Sequence, residues 1–295
     1  MFAAPRGGAQ CPSGGRAGTD VTDLGASPLG HATSYADEYD PRLLFPVDRA
    51  PQREELGFAA GWPFHGVDLW NAYELSWLDP DGKPQVAIAT LAVPAASPRI
   101  VESKSVKLYL TAFNQTRFAS AAAVEATLAR DFSAATGAGV DVVLTGPEGF
   151  AALPHGEPEG FCLDALPVAC DRYVPDPDAL APAGPAARPV AETLFTRLFR
   201  SVCPVTGQPD YASVGIDYEG PAIDRAGLLR YLVSFRRHPG FHEHCVERIF
   251  ADIWRRCAPQ ALSVSARFTR RGGVDINPFR SSGDRPPPNV RTARQ

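Results

Sequence analysis

The residues in this chain best able to do chemistry fall in three short stretches. In "SVCPVTGQPDY", residues 201–211, Cys203 is followed by a proline and precedes Asp210 by seven positions. A thiolate is the strongest nucleophile a side chain offers near neutral pH, provided its pKa is lowered or a base lies close. The proline and glycine between the two residues force a turn, which can bring the Asp210 carboxylate back toward the sulfur to move protons. Taken by itself the loop equally accommodates a buried structural thiol, with Asp210 as an ordinary turn residue. The second stretch is "ESKSVKLY", which carries Lys104 and Lys107, two of only three lysines in a chain with 26 arginines. A chain this biased toward arginine uses lysine where a compact ammonium matters, unless the pair is a chance cluster on a solvated helix face. The third is "FHEHC", with His242 and Glu243 opening a helix. It looks like a metal motif, but adjacent helical residues point about 100° apart and cannot all face one ion.

Other apparent signals fail on context. "GAGVDV" at 137–142 lacks the third glycine of a dinucleotide fingerprint and precedes a strand instead of following one. The sequence contains no phosphate-binding P-loop, no G-x-S-x-G and no H-E-x-x-H. The charge of −4 from 29 basic and 33 acidic residues argues against general affinity for nucleic acid or an anionic membrane. No apolar run approaches the length of a membrane span, and the opening residues lack a secretory apolar core. Six cysteines without a C-x-x-C pair fit a reduced, cytoplasmic setting.

Two modules are expected to hold these stretches. Residues 1–35, rich in Gly, Ala, Ser and Pro, read as a flexible extension. In a first module (36–150), "GVDLWNAYELSWLD" and "KPQVAIATLAVP" read as strands joined by a "PDGK" turn. Helices follow over "SKSVKLYLTAFNQ" and "SAAAVEATLARDFSAATG", the latter capped by Gly137, and then a short buried strand "VDVVLT". A Pro/Ala-rich linker (151–191) leads to a second module (192–281) with the same order of strands and helices, closing in a hairpin over "ALSVSARFT" and "GGVDINPF". The tail 282–295 reads as disordered. Tyr109-Leu110-x-x-Phe113 and Tyr231-Leu232-x-x-Phe235 occupy matching helices, which suggests duplication of one unit. Cys245 and Cys257 read as core thiols. Cys162 and Cys170 could approach each other in the linker.

"SVCPVTGQPDYAS", "FHEHCVERIFADI", "GGVDINPFRS" and above all "ESKSVKLYL" together resemble the NADPH-dependent nitrile reductases called QueF, in their long, two-module branch. The resemblance runs from about Leu24 to about Arg280. It implies an α+β architecture of tandem tunnelling-fold modules, each an antiparallel sheet with two helices on one face, and a homodimer. It also implies reduction of 7-cyano-7-deazaguanine to 7-aminomethyl-7-deazaguanine, in queuosine biosynthesis for tRNA modification, through a covalent thioimide. On that basis Cys203 is the nucleophile and Asp210 the proton donor. Val101, Glu102, Ser103, His242 and Glu243 contact the substrate, and Ser103, Lys104, Lys107, Arg271 and Gly272 contact NADPH. No metal is implied. The alternatives are a hydrolase of the same fold, such as one resembling GTP cyclohydrolase, and a purine-binding relative without catalysis.

Overall fold

The computed structural model describes residues 38–57, 61–184, 186–284, 287 and 289–295. The expected extension at 1–35, with Cys11, lies outside the described residues. The strands are β1 (Pro46–Asp48), β2 (His65–Leu78), β3 (Pro84–Pro94), β4 (Arg99–Val101), β5 (Asp141–Thr145), β6 (Phe161–Cys162), β7 (Pro189–Val202), β8 (Pro209–Pro221), β9 (Ala261–Phe268) and β10 (Val274–Ser281). The helices are α1 (Ala50–Glu54), α2 (Ser103–Thr111), α3 (Ala121–Thr136), α4 (Arg225–Ser234) and α5 (His242–Cys257).

Eight strands form one sheet in the order β5-β3-β2-β10-β9-β8-β7-β6, antiparallel except where β6 joins β7. β1 and β4 pair separately. Alternation along β3 and β7 sends apolar side chains toward the helices, as a sheet covered on one face requires. One core gathers β2, β3 and β10 with α2 and α3, through Trp70, Leu91, Tyr109, Phe113, Leu128 and Phe132. The other gathers β7, β8 and β9 with α4 and α5, through Phe199, Tyr231, Phe235, Val246, Phe250 and Phe268.

The duplication suggested by the sequence is present in geometry. β2 and β7 each span 14 residues and each carries a register shift at the same depth, between Ala72 and Leu75 and between Thr196 and Phe199. In each module a helix tyrosine donates to an aspartate on the next helix: Tyr109 to Asp131 at 2.8 Å, and Tyr231 to Asp252 at 2.7 Å. Gly137 caps α3 at φ 77°, a conformation only glycine adopts freely.

Two expectations require correction. "VDVVLT" is an edge strand, and alternation turns Val142 into the core but leaves Val143 60% exposed on the other face of the sheet. The segment 289–295, expected to be disordered, packs on the sheet, with Thr292 and Gln295 buried. Its polar side chains find hydrogen-bonding groups on the uncovered face of the sheet, so it needs little apolar surface to stay in place.

Buried charge also joins the modules. Asp68 on β2 pairs with Arg49 and with Arg280 of β10, and Glu247 of α5 pairs with Arg53 and Arg280. All five are nearly inaccessible, so their stability depends on every charge keeping a partner.

Candidate active site

Cys203 leaves the end of β7 and enters a tight loop. Its N–H donates to the Gln208 carbonyl (2.8 Å) and its own carbonyl accepts from Gly207 (3.0 Å). Gly207 sits at φ 69°, where the turn needs glycine. The side chain is 9% exposed. Burial opposes ionisation of the thiol, but hydrogen bonds from the Thr206 hydroxyl, the Thr206 and Val205 N–H groups and Arg271 outweigh it, and the pKa falls below the ordinary thiol value. This separates Cys203 from Cys245, whose thiol burial pushes up to about 12, and from Cys257, pushed up to about 11.

Asp210 is the second residue of β8, directly opposite Ser201 in the ladder, so the turn does return it toward the cysteine. It is buried, with one carboxylate oxygen 3.1 Å from Arg271 Nη2 and the other 3.4 Å from His242 Nε2. The His242 ring stacks on Phe268, centroids 3.7 Å apart and 3° from parallel, and its buried Nδ1 has no partner among the described residues. Arg271, expected only as a cofactor contact, therefore bridges the thiol and the acid, and it also donates to the Gln208 side chain at 2.7 Å.

The "ESKSVKLY" stretch meets this group from the first module. Glu102 is the N-cap of α2, its two carboxylate oxygens accepting from the Lys104 and Ser105 N–H groups at 2.8 Å each. Ser103 hydroxyl reaches Glu102 at 3.5 Å. Lys107 is largely buried: burial and then Arg271 lower its pKa, while Glu102, Asp210 and Cys203 oppose that. One ammonium thus faces groups from both modules. Gly272, at φ 58°, passes so close that an added Cβ would lie 2.9 Å from Lys107 Cδ. Lys107, Gly272, Glu74 and Asn114 line a common cleft. The phosphates of a dinucleotide suit the Lys107 ammonium with the Arg271 guanidinium beside it.

Glu243 lies in the first turn of α5, where the helix dipole would favour its charge. Burial, with the Asp68 carboxylate second, prevails and pushes it up to about 7, against Arg49 and Arg280. It packs in a closed cluster with Val101, Asp68, Arg49, Trp70 and Phe132. The structure thus brings Cys203, Asp210, His242, Arg271, Lys107 and Glu102 together, with Val101 and Glu243, the chain neighbours of Glu102 and His242, in the closed cluster behind them. Thr206, Phe268 and Asp68 escaped the sequence reading. A hydroxyl three residues after a loop cysteine was a usable signal for Thr206, whereas nothing in the sequence marked the other two.

A thiol of lowered pKa and a buried acid, set between paired α+β modules with cations from both halves, are the equipment of an enzyme. Comparison with known proteins specifies the class. Residues 35–144 match the family described as "Nitrile reductase, 7-cyano-7-deazaguanine-reductase N-term", and residues 209–287 match "QueF-like protein". A protein of Burkholderia cenocepacia (strain HI2424) named NADPH-dependent 7-cyano-7-deazaguanine reductase is 60% identical over 271 residues, covering 91% of this chain and 98% of the relative. One of the same name from Burkholderia multivorans (strain ATCC 17616 / 249) is 59% identical over 270 residues, with 91% and 98% covered. The crystal structure of apo archaeosine synthase QueF-Like matches at 19% identity and TM-score 0.29, over 33% of this chain and 96% of that one, too slight a likeness to bear on the fold. The chain belongs to the family of NADPH-dependent 7-cyano-7-deazaguanine reductases.

Proposed function

We propose that this chain reduces the nitrile of 7-cyano-7-deazaguanine to the aminomethyl group of 7-aminomethyl-7-deazaguanine with NADPH, through a thioimide on Cys203. Family membership supports the overall reaction. The observation supporting the covalent route is the Cys203 thiol, lowered in pKa against the pull of burial and sharing Arg271 with a buried carboxylate.

The Cys203 thiol yields its proton to the Asp210 carboxylate as the sulfur adds to the nitrile carbon and forms the C–S bond, and Asp210 passes that proton to the nitrogen. Arg271 and His242 hold that carboxyl in place. Bound NADPH supplies the hydride for each of two reductions, about two cofactors per amine. Loss of the thiolate between the reductions frees an imine and restores Cys203, the hydrogen bonds from Thr206 and Arg271 stabilising the leaving sulfur. Lys107, Lys104, Ser103, Arg271 and Gly272 hold the cofactor.

Glu243, ionised, accepts from the ring N–H and exocyclic amine of the guanine-like edge, a bidentate match. Near neutral pH it lies close to its own pKa, so little free energy is needed to ionise it when substrate arrives. Val101 packs in the same cluster as Glu243, and Glu102 keeps lone pairs for substrate beyond its two cap bonds. Queuosine biosynthesis, a cytoplasmic setting and a homodimer complete the reading, supported by family membership alone. Incubating the protein with the nitrile and measuring intact mass tests the chemistry. An adduct is expected in the native chain and none in Cys203→Ala. An adduct that survives in the variant refutes the role of Cys203.

A further inference from the structure

β10, read from the sequence as the close of the second module, pairs with β2 and packs in the first core, so the joint between the two cores runs between β9 and β10. These strands pair only where Ser263–Ser265 meets Phe279–Ser281, and then they part, while β10 stays paired with β2 along its whole length. The parting leaves a wedge lined by Arg267 and the Phe268 carbonyl from β9, and by Asp275 and Asn277 from β10. The segment 289–295 fills it. The Gln295 amide donates to the Phe268 carbonyl (3.1 Å) and to Asn277 Oδ1 (2.8 Å), and its oxygen accepts from Arg267 Nε (3.0 Å) and Thr292 N–H (3.0 Å). A primary amide carries the same donor and acceptor as a peptide group, so Gln295 does there what a neighbouring strand would do.

The segment is tied on both sides. Asn289 accepts from Arg267 at 2.9 Å and donates to Asn71 of β2 at 3.3 Å. The Arg291 N–H donates to the Pro154 carbonyl, its carbonyl accepts from Gly156, each at 3.0 Å, and its guanidinium lies 4.6 Å from the Tyr73 ring centre. Gln295 is only 7% exposed.

What Gln295 holds matters across the sheet. Strand alternation sends Arg267 to the face under the segment and Phe268 to the helix side, where its ring stacks on His242. The residue whose carbonyl Gln295 grips therefore carries the platform for His242, whose Nε2 faces Asp210. We propose that Gln295 is a positioning residue for the nitrile site: seated in the β9–β10 wedge, it fixes Phe268 and, through that ring, the orientation of His242 toward substrate. This rests on the reading of His242 and Glu243 as substrate contacts.

The test is nitrile binding by titration calorimetry in a Cys203→Ala background, which isolates binding from adduct formation. Adding Gln295→Ala weakens binding about tenfold, the scale expected when a buried carbonyl and guanidinium lose a partner. Gln295→Met, which fills the same space without hydrogen bonds, weakens it to a similar degree and serves if the alanine variant melts below the working temperature. With Cys203 intact, Gln295→Ala raises the half-saturating nitrile concentration while that of NADPH stays within about twofold, since the Arg271 loop has its own ties to Gln208, Asp210 and Val274. A purely structural wedge would instead lower the melting temperature and leave nitrile affinity alone. If Cys203→Ala binds nitrile and the double variant binds it equally well, the role of Gln295 is refuted. If Cys203→Ala binds no nitrile, the substrate-contact reading falls and the positioning role with it.

Discussion

Glu243→Gln should stabilise the protein at alkaline pH while weakening its grip on substrate. Glu243 is 4% exposed, and its pKa is pushed up from 4.5 to about 7 by burial and by Asp68. Below pH 4.5 the carboxyl is protonated in folded and unfolded chains alike. Between 4.5 and 7 the folded chain holds a proton that the unfolded chain has released, so stability falls as pH rises, and it levels off above 7. A shift of roughly 2.5 units corresponds to about 3 kcal/mol at 1.36 kcal/mol per unit. Glutamine keeps the shape and carries no charge, so the variant escapes this loss. At roughly 2 °C per kcal/mol for a chain of this size, the variant should melt about 6 °C above the parent at pH 8. The gap should shrink nearly to zero at pH 4.5. Thermal melts followed by circular dichroism in matched buffers across that range measure it, and calorimetry on the same samples reports the loss of nitrile binding. A difference in melting temperature that is constant with pH, or a variant less stable at pH 8, would falsify the assignment of Glu243 as a carboxyl held neutral by burial.

Three further outcomes follow from the site and its supports. Cys203→Ala should abolish both the mass adduct and nitrile-dependent NADPH consumption; the fold should persist, because the loop is held by backbone bonds to Gln208 and Gly207, which circular dichroism checks. Arg271→Gln should raise the Cys203 pKa, since a charged donor to the sulfur is lost; the rate of iodoacetamide labelling at pH 7 should fall and its pH midpoint move upward. Asp68→Asn leaves Arg49 and Arg280 short of a counter-charge in the core and should cost about 3–5 kcal/mol, read as a lower midpoint in urea.

The sequence shows the repeated unit plainly, because each module writes its own strands with alternation and its helices with an apolar stripe. Tyr109 and Tyr231 mark matching helices, and both prove to serve the same inter-helix hydrogen bond. Cys203 and Asp210 are legible as a pair because a Pro/Gly turn between two strands can do little except bring its ends together. Arg49, Arg53 and Arg280 are not legible as core residues. In sequence an arginine reads as surface, and only the arrangement of β2, β10 and α5 shows that each meets a carboxylate in the interior. The segment 289–295 escaped for a related reason: its composition lacks the apolar residues that signal packing, yet its amides and guanidinium groups are the complement of a sheet that has parted. Both omissions concern polar groups whose partners are distant in sequence, and both lie at the joint between modules. The residues proposed for the chemistry lie in short contiguous stretches, whereas those that set the halves against one another are dispersed. That division fits a duplicated unit, in which the joint is the one feature neither copy can encode by itself.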